Sequence, residues 1–171
     1  MKRKSIFALL AIVFIGAGVL QSCKTDSATS TPTEFVADNT TFSGFTSYPV
    51  GATLHGANPT LGPMAHGGQD TSVTRKVHYK NNQDRVNGKF PIGTVIVKQS
   101  TSPKGMNEIT AMVKRGNNFN PTAGDWEFFM LMPSGEIATD ANGPLRGANL
   151  LNGMCAGCHT GAAAKDYIFT K

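Results

Sequence analysis

Cys155, Ala156, Gly157, Cys158 and His159 stand in a row near the C-terminal end of the chain. Two thiols three residues apart on a helical turn can each add to one haem vinyl group, and the next residue then offers its imidazole to the iron. The run points to one covalent c-type haem, with Cys155 and Cys158 as attachment points and His159 as the axial ligand. Two other chemistries use the same cysteine spacing. A thioredoxin-like redox pair belongs near a βαβ pattern, whereas this pair closes a chain rich in strand signals. A structural zinc site takes about four ligands in paired spacing. Here no second cysteine pair exists, and only His55, His66 and His78 remain.

The third cysteine lies at the other end. Lys2, Arg3 and Lys4 form a positive start, residues 6–20 are almost wholly apolar, and Leu20-Gln21-Ser22-Cys23 follows. This resembles a bacterial lipoprotein leader, in which the cysteine is lipidated and becomes the mature N-terminus. The expectation is a signal peptide over 1–22, lipidation at Cys23, and a membrane-anchored protein facing the periplasm or the cell exterior. An uncleaved single-helix anchor is the alternative, and it also exports and tethers the domain. Export suits the haem motif, because that attachment chemistry takes place outside the cytoplasm in bacteria. No cysteine is left for a structural disulfide.

Residues 23–34 are polar and rich in Ser and Thr, so they read as a flexible tether. Residues 35–171 suffice for one domain with a real core. The formal charge of the 171-residue chain is +5. Without residues 1–22, thirteen basic residues face eleven acidic ones, a net of +2. A near-neutral domain gives no reason to expect nucleic acid as a partner.

Strands must position the motif. Val73, Val77 and Tyr79 alternate with Thr74, Lys76 and His78, with Arg75 breaking the apolar face. The β-branched run Thr94-Val95-Ile96-Val97 favours extended backbone. Ile109, Ala111 and Val113 alternate in the stretch 107–114. In 125–132, Trp126, Phe128, Met130 and Met132 oppose Glu127, Phe129 and Leu131, so both faces of this strand should be covered; a protein core could cover one and a haem the other. Short turns between these runs argue for an antiparallel meander. The expected fold class is mainly β (α+β), with a few short helices and the haem motif on a C-terminal helix within 150–159. Residues 35–50 read as irregular pieces packed on the core, 51–70 as a long loop, and 166–170 as a last short strand.

FPIGTVIVK, MVKRGNNFNPTAGDWEFFML and CAGCHTGAAAKDYIFTK, in that order, resemble the cytochrome P-460 and cytochrome c′-beta family over roughly residues 35–171. The resemblance implies a mainly antiparallel β domain, commonly dimeric, with a five-coordinate haem open to small ligands. One branch oxidises hydroxylamine and carries a lysine bonded to the porphyrin. The other lacks that bond and binds nitric oxide or carbon monoxide behind aromatic side chains. Lys98, ending the FPIGTVIVK strand, matches the lysine position; the alternative is a solvated strand end or an uncrosslinked pocket lysine. Phe90 matches the aromatic cap, with plain core packing as the alternative.

A sixth iron ligand would turn the site toward simple electron transfer. Of the remaining histidines, His66 in its Gly-rich loop is the better distal candidate, and the methionines read first as core filling. Hydroxylamine oxidation would call for a distal carboxylate as base. Glu108, Asp125, Glu127 and Asp140 are all available, and nothing in the sequence selects one. Arg146 could lie against a haem propionate, with a surface charge as the plainer reading. Three functions therefore stay open. One is a cytochrome binding nitric oxide or passing electrons at a five-coordinate haem. The second is a hydroxylamine-oxidising enzyme with a lysine–porphyrin bond, and the third a two-ligand electron-transfer cytochrome. The first would need an unnamed electron-transfer partner.

Overall fold

The structure, a computed structural model, describes residues 33–61 and 65–171. The leader, Cys23 and residues 23–32 of the tether lie outside them. Among the described residues, no helix is long and apolar enough to cross a membrane.

Five strands of ordinary length come first: β1 (Val50–His55), β2 (Thr74–Tyr79), β3 (Val95–Thr101), β4 (Asn107–Lys114) and β5 (Trp126–Leu131). The two-residue strands β6 (Thr139–Asp140), β7 (Gly143–Pro144) and β8 (Arg146–Gly147) follow. Among the described residues, one helix, α1 (Met154–His159), and several 3-10 turns complete the set. The sheet runs β1-β2-β3-β4-β5-β8, with β6 and β7 forming a separate hairpin. Every ladder in it is antiparallel. This is the mainly β meander with a C-terminal helix that the alternating runs and short turns imply.

Strand periodicity of two gives the sheet two distinct faces. On one, Val95, Val97, Ile109, Ala111, Val113, Phe129 and Leu131 are buried together with Phe42 and Phe45. Those two phenylalanines come from 3-10 turns at Asn39–Phe42 and Phe45–Ser47, and Phe42 meets Phe129 with ring centroids 5.0 Å apart. The irregular N-terminal segment thus packs on the core as expected, and each ring removed from water contributes about 1.5–3 kcal/mol.

The other face is ordered by register. One rung is Tyr79, Ile96, Met112 and Phe128; the next is Val77, Lys98, Thr110 and Met130. The third is Arg75, Ser100 and Glu108. Apolar side chains therefore give way to charged ones across a single face. Leu150 and Ile168, from the C-terminal segment, close over its apolar end.

Two stretches differ from expectation. Residues 50–55 form β1, an edge strand, instead of the start of a long loop. Nearly all its side chains are exposed, so selection for an alternating apolar face is missing and the sequence carries no strand signal. Gly51 sits where the register shifts, and a Cβ there would stand 2.5 Å from the Tyr79 ring. Residues 166–170 form no strand. Asp166 and Tyr167 both have left-handed backbone, at φ 50° and 66°, which an extended chain cannot accommodate.

Arg75, the residue that breaks the apolar pattern of β2, is 1% exposed. Its guanidinium donates to the carbonyls of Gly56, His66 and Gly67 at 2.8, 2.7 and 2.7 Å. The break in the pattern is thus a clip for the loop that carries His66.

Candidate haem site

The C-terminal segment and the second sheet face enclose a cavity of about 970 Å³, counting the space open to solvent at its mouth. Val77, Ile96, Met112, Phe128 and Met130 supply the sheet wall. Leu150, Met154, Ile168 and Phe169 supply the other.

Cys155, Cys158 and His159 all reach this cavity from α1. Both cysteines are free thiols, Cys155 half-buried and Cys158 exposed. Burial pushes the Cys155 thiol up. The His159 ring sits between Phe128 and Phe169, with centroids at 5.5 and 5.4 Å. Its Nδ1 lies 2.7 Å from the Tyr167 carbonyl. A carbonyl only accepts, so Nδ1 must carry the proton and Nε2 keeps its lone pair. Burial also holds this imidazole neutral, its pKa lowered to about 4. An unprotonated Nε2 beside two thiols on one apolar cavity suits the donor set of a haem.

The polar end of the sheet face contributes Lys98, Glu108 and His66 to the same cavity. His66 Nδ1 donates to Glu108 Oε1 at 2.7 Å. Burial lowers the pKa of His66 against the pull of Glu108. Burial works to raise Glu108, yet the His66 hydrogen bond and the nearby charge of Lys98 hold it below its ordinary value. The pair is a neutral imidazole donating to a carboxylate. Lys98 is lowered to about 8, chiefly by burial, which exceeds the opposing attraction of Glu108.

Of the four carboxylates open at the sequence level, only Glu108 lines the cavity. Glu127 is on the opposite face, 1% exposed and clamped by Arg146 at 2.7 and 3.0 Å. Asp125 accepts from the Asn120 backbone N–H, and Asp140 from that of Asn142 in the exposed β6–β7 hairpin. Arg146 is committed to Glu127, the Ala37 carbonyl and the Phe129 ring, so its place rules out the propionate contact. Phe90 is likewise outside the cavity walls. Its ring stacks on Tyr79 at 6.5 Å and meets Trp126 edge-on at 5.8 Å. The aromatic-cap position therefore does not fit Phe90, and the core packing held open beside it does. The aromatic side chains on the cavity face are Phe128 and Phe169. His55 bonds Thr74 on the exposed β1–β2 edge, away from the cavity.

Sequence reasoning missed the pairing of His66 with Glu108 and the Tyr167 carbonyl behind His159. Forty-two residues separate the first pair, and only the register of β3 with β4 and the Arg75 clip unite them.

A β-sheet domain with an imidazole, two thiols and an apolar slot on one face defines a haem-binding class of protein. The family model for Cytochrome P460 matches residues 65–170, more than half of the chain, and the chain belongs to that family. It is a haem-binding cytochrome. Neither a curated protein nor a solved structure matches it significantly.

Proposed function

We propose that the protein is an exported monohaem c-type cytochrome whose iron has one open side for a small nitrogenous ligand such as nitric oxide. Cys155 and Cys158 attach the single haem, His159 ligates its iron, and electrons pass to or from a separate protein. Cys23 anchors the domain through its lipid, and a homodimer is the proposed assembly. When bound, the haem supplies reversible ligand binding and one-electron chemistry at iron. This chain's residues orient the imidazole, exclude water with Ile96, Met112 and Phe128, and place a cation, a carboxylate and an imidazole beside the remaining space.

The observation that carries this reading is the His159–Tyr167 hydrogen bond, which frees Nε2 beside both thiols at one cavity. The visible spectrum of the purified ferric protein tests it. A high-spin five-coordinate spectrum is expected; a low-spin one would replace it with the two-ligand electron-transfer reading.

A second reading has its own support. Lys98 and Glu108 line the same cavity, as hydroxylamine oxidation with a lysine–porphyrin bond would require. Glu108 would then take protons from the substrate, with His66 holding its carboxylate. A strongly red-shifted band that disappears in Lys98→Leu would establish this reading, and a spectrum unchanged by the substitution would remove it.

Stability against pH separates the two as well. A free Lys98 amine loses its proton at about 8 in the folded protein but near the ordinary 10.5 when unfolded. The unfolded chain then binds more protons between those values, so stability rises with pH across that window relative to Lys98→Met. Urea midpoints at pH 7 to 10.5 measure it. A flat difference is expected only if the nitrogen is bonded to the ring.

A further inference from the structure

The Tyr167 carbonyl that faces His159 belongs to an unusual turn. Asp166 and Tyr167 are consecutive left-handed residues, a conformation that side chains with a Cβ avoid. Something must hold them there. Asp166 is 5% exposed and Lys114, at the end of β4, is 6% exposed. Lys114 Nζ donates to both Asp166 carboxylate oxygens, at 2.7 and 2.9 Å, and to the Gly124 carbonyl at 2.6 Å. Asp166 Oδ2 also accepts the Phe90 backbone N–H at 2.7 Å, and the Asp166 carbonyl accepts the Trp126 indole N–H at 2.9 Å. One buried residue thus ties the turn to β4, to the strand-leading segment at Phe90 and to β5.

We propose that Asp166, held by Lys114, is a positioning residue for the axial imidazole: it fixes the turn that presents the Tyr167 carbonyl to His159 Nδ1. The inference rests on the reading of His159 as the iron ligand. A buried ion pair is a poor way to gain stability, because desolvation offsets most of the attraction. Its use here is orientation. A strong Nδ1–H···O bond makes the imidazole a better electron donor to the metal and fixes its ring plane.

The test uses the haem-loaded full chain and two readouts that a purely structural role would not move. These are the iron–histidine stretching frequency of the ferrous protein and its reduction potential. Asp166→Asn keeps the shape but gives Lys114 no charge to hold. The expected result is a lower stretching frequency and a higher potential, with Lys114→Arg staying nearer the parent protein. A loaded Asp166→Asn protein with both values unchanged overturns the proposal, even if it melts earlier. Should Asp166→Asn fail to load, Lys114→Met carries the same expectation and the same refutation. A colourless parent protein would instead sink the haem reading itself, so the two failures are distinct.

Discussion

A Cys155→Ser, Cys158→Ser double variant is expected to lose all covalent haem. Serine hydroxyls form no thioether, so nothing would bind the ring through denaturation. The parent chain should keep its haem on a denaturing gel and gain the mass of one porphyrin, and the variant should show neither. His159 and the apolar walls are untouched, so haem added to the variant should still enter, and acidified organic solvent should extract it. On the proposed attachment this would separate two contributions, burial and one iron bond from the cavity and permanence from the thiols. Colour that survives denaturation in the double variant would refute Cys155 and Cys158 as the attachment points.

Trp126→Ala is expected to cost about 3–5 kcal/mol, the range for removing a large aromatic from a core. The indole is 0% exposed, packs edge-on against Phe90 and lies under Lys114 Nζ at 5.2 Å. It also donates to the Asp166 carbonyl. Packing rather than the hydrogen bond should dominate, because a single such bond is worth about 1 kcal/mol net. Trp126→Phe should therefore recover most of the loss. Set against total stabilities of about 5–15 kcal/mol, the alanine variant should be close to unfolding. Urea melts of the haem-loaded proteins measure the difference, and an alanine variant within 1 kcal/mol of the parent, as in the range for surface changes, would contradict the packing described here.

What the sequence made legible follows from where burial acts. Runs 95–101, 107–114 and 126–131 pack on both faces, so their patterns were written in large apolar and β-branched residues. The motif Cys155–His159 was legible because its chemistry is local, contained in one turn of helix. β1 was not, since an exposed edge leaves side chains almost unconstrained. Residues 166–170 misled for a different reason: Tyr167, Ile168 and Phe169 look like strand residues, but Asp166 and its partner Lys114 decide the backbone from 52 residues away. Arg75 did leave a mark, the lone charge in an apolar alternation, yet its three carbonyl partners all come from loop backbone, which no side-chain pattern records. Glu108 could not be told from three other carboxylates until strand register placed it beside Lys98.

The motif's place after β8 has a consequence for biogenesis. Any chain is made from its N-terminal end. Every strand of the sheet has therefore emerged before either thiol does. Cys155 and Cys158 follow those strands, on a short helix that leads into the closing turn. On the proposed c-type attachment, a maturation enzyme would meet them beside a scaffold whose strands are already available for pairing, and Ile168 and Phe169 would close over the cavity afterwards.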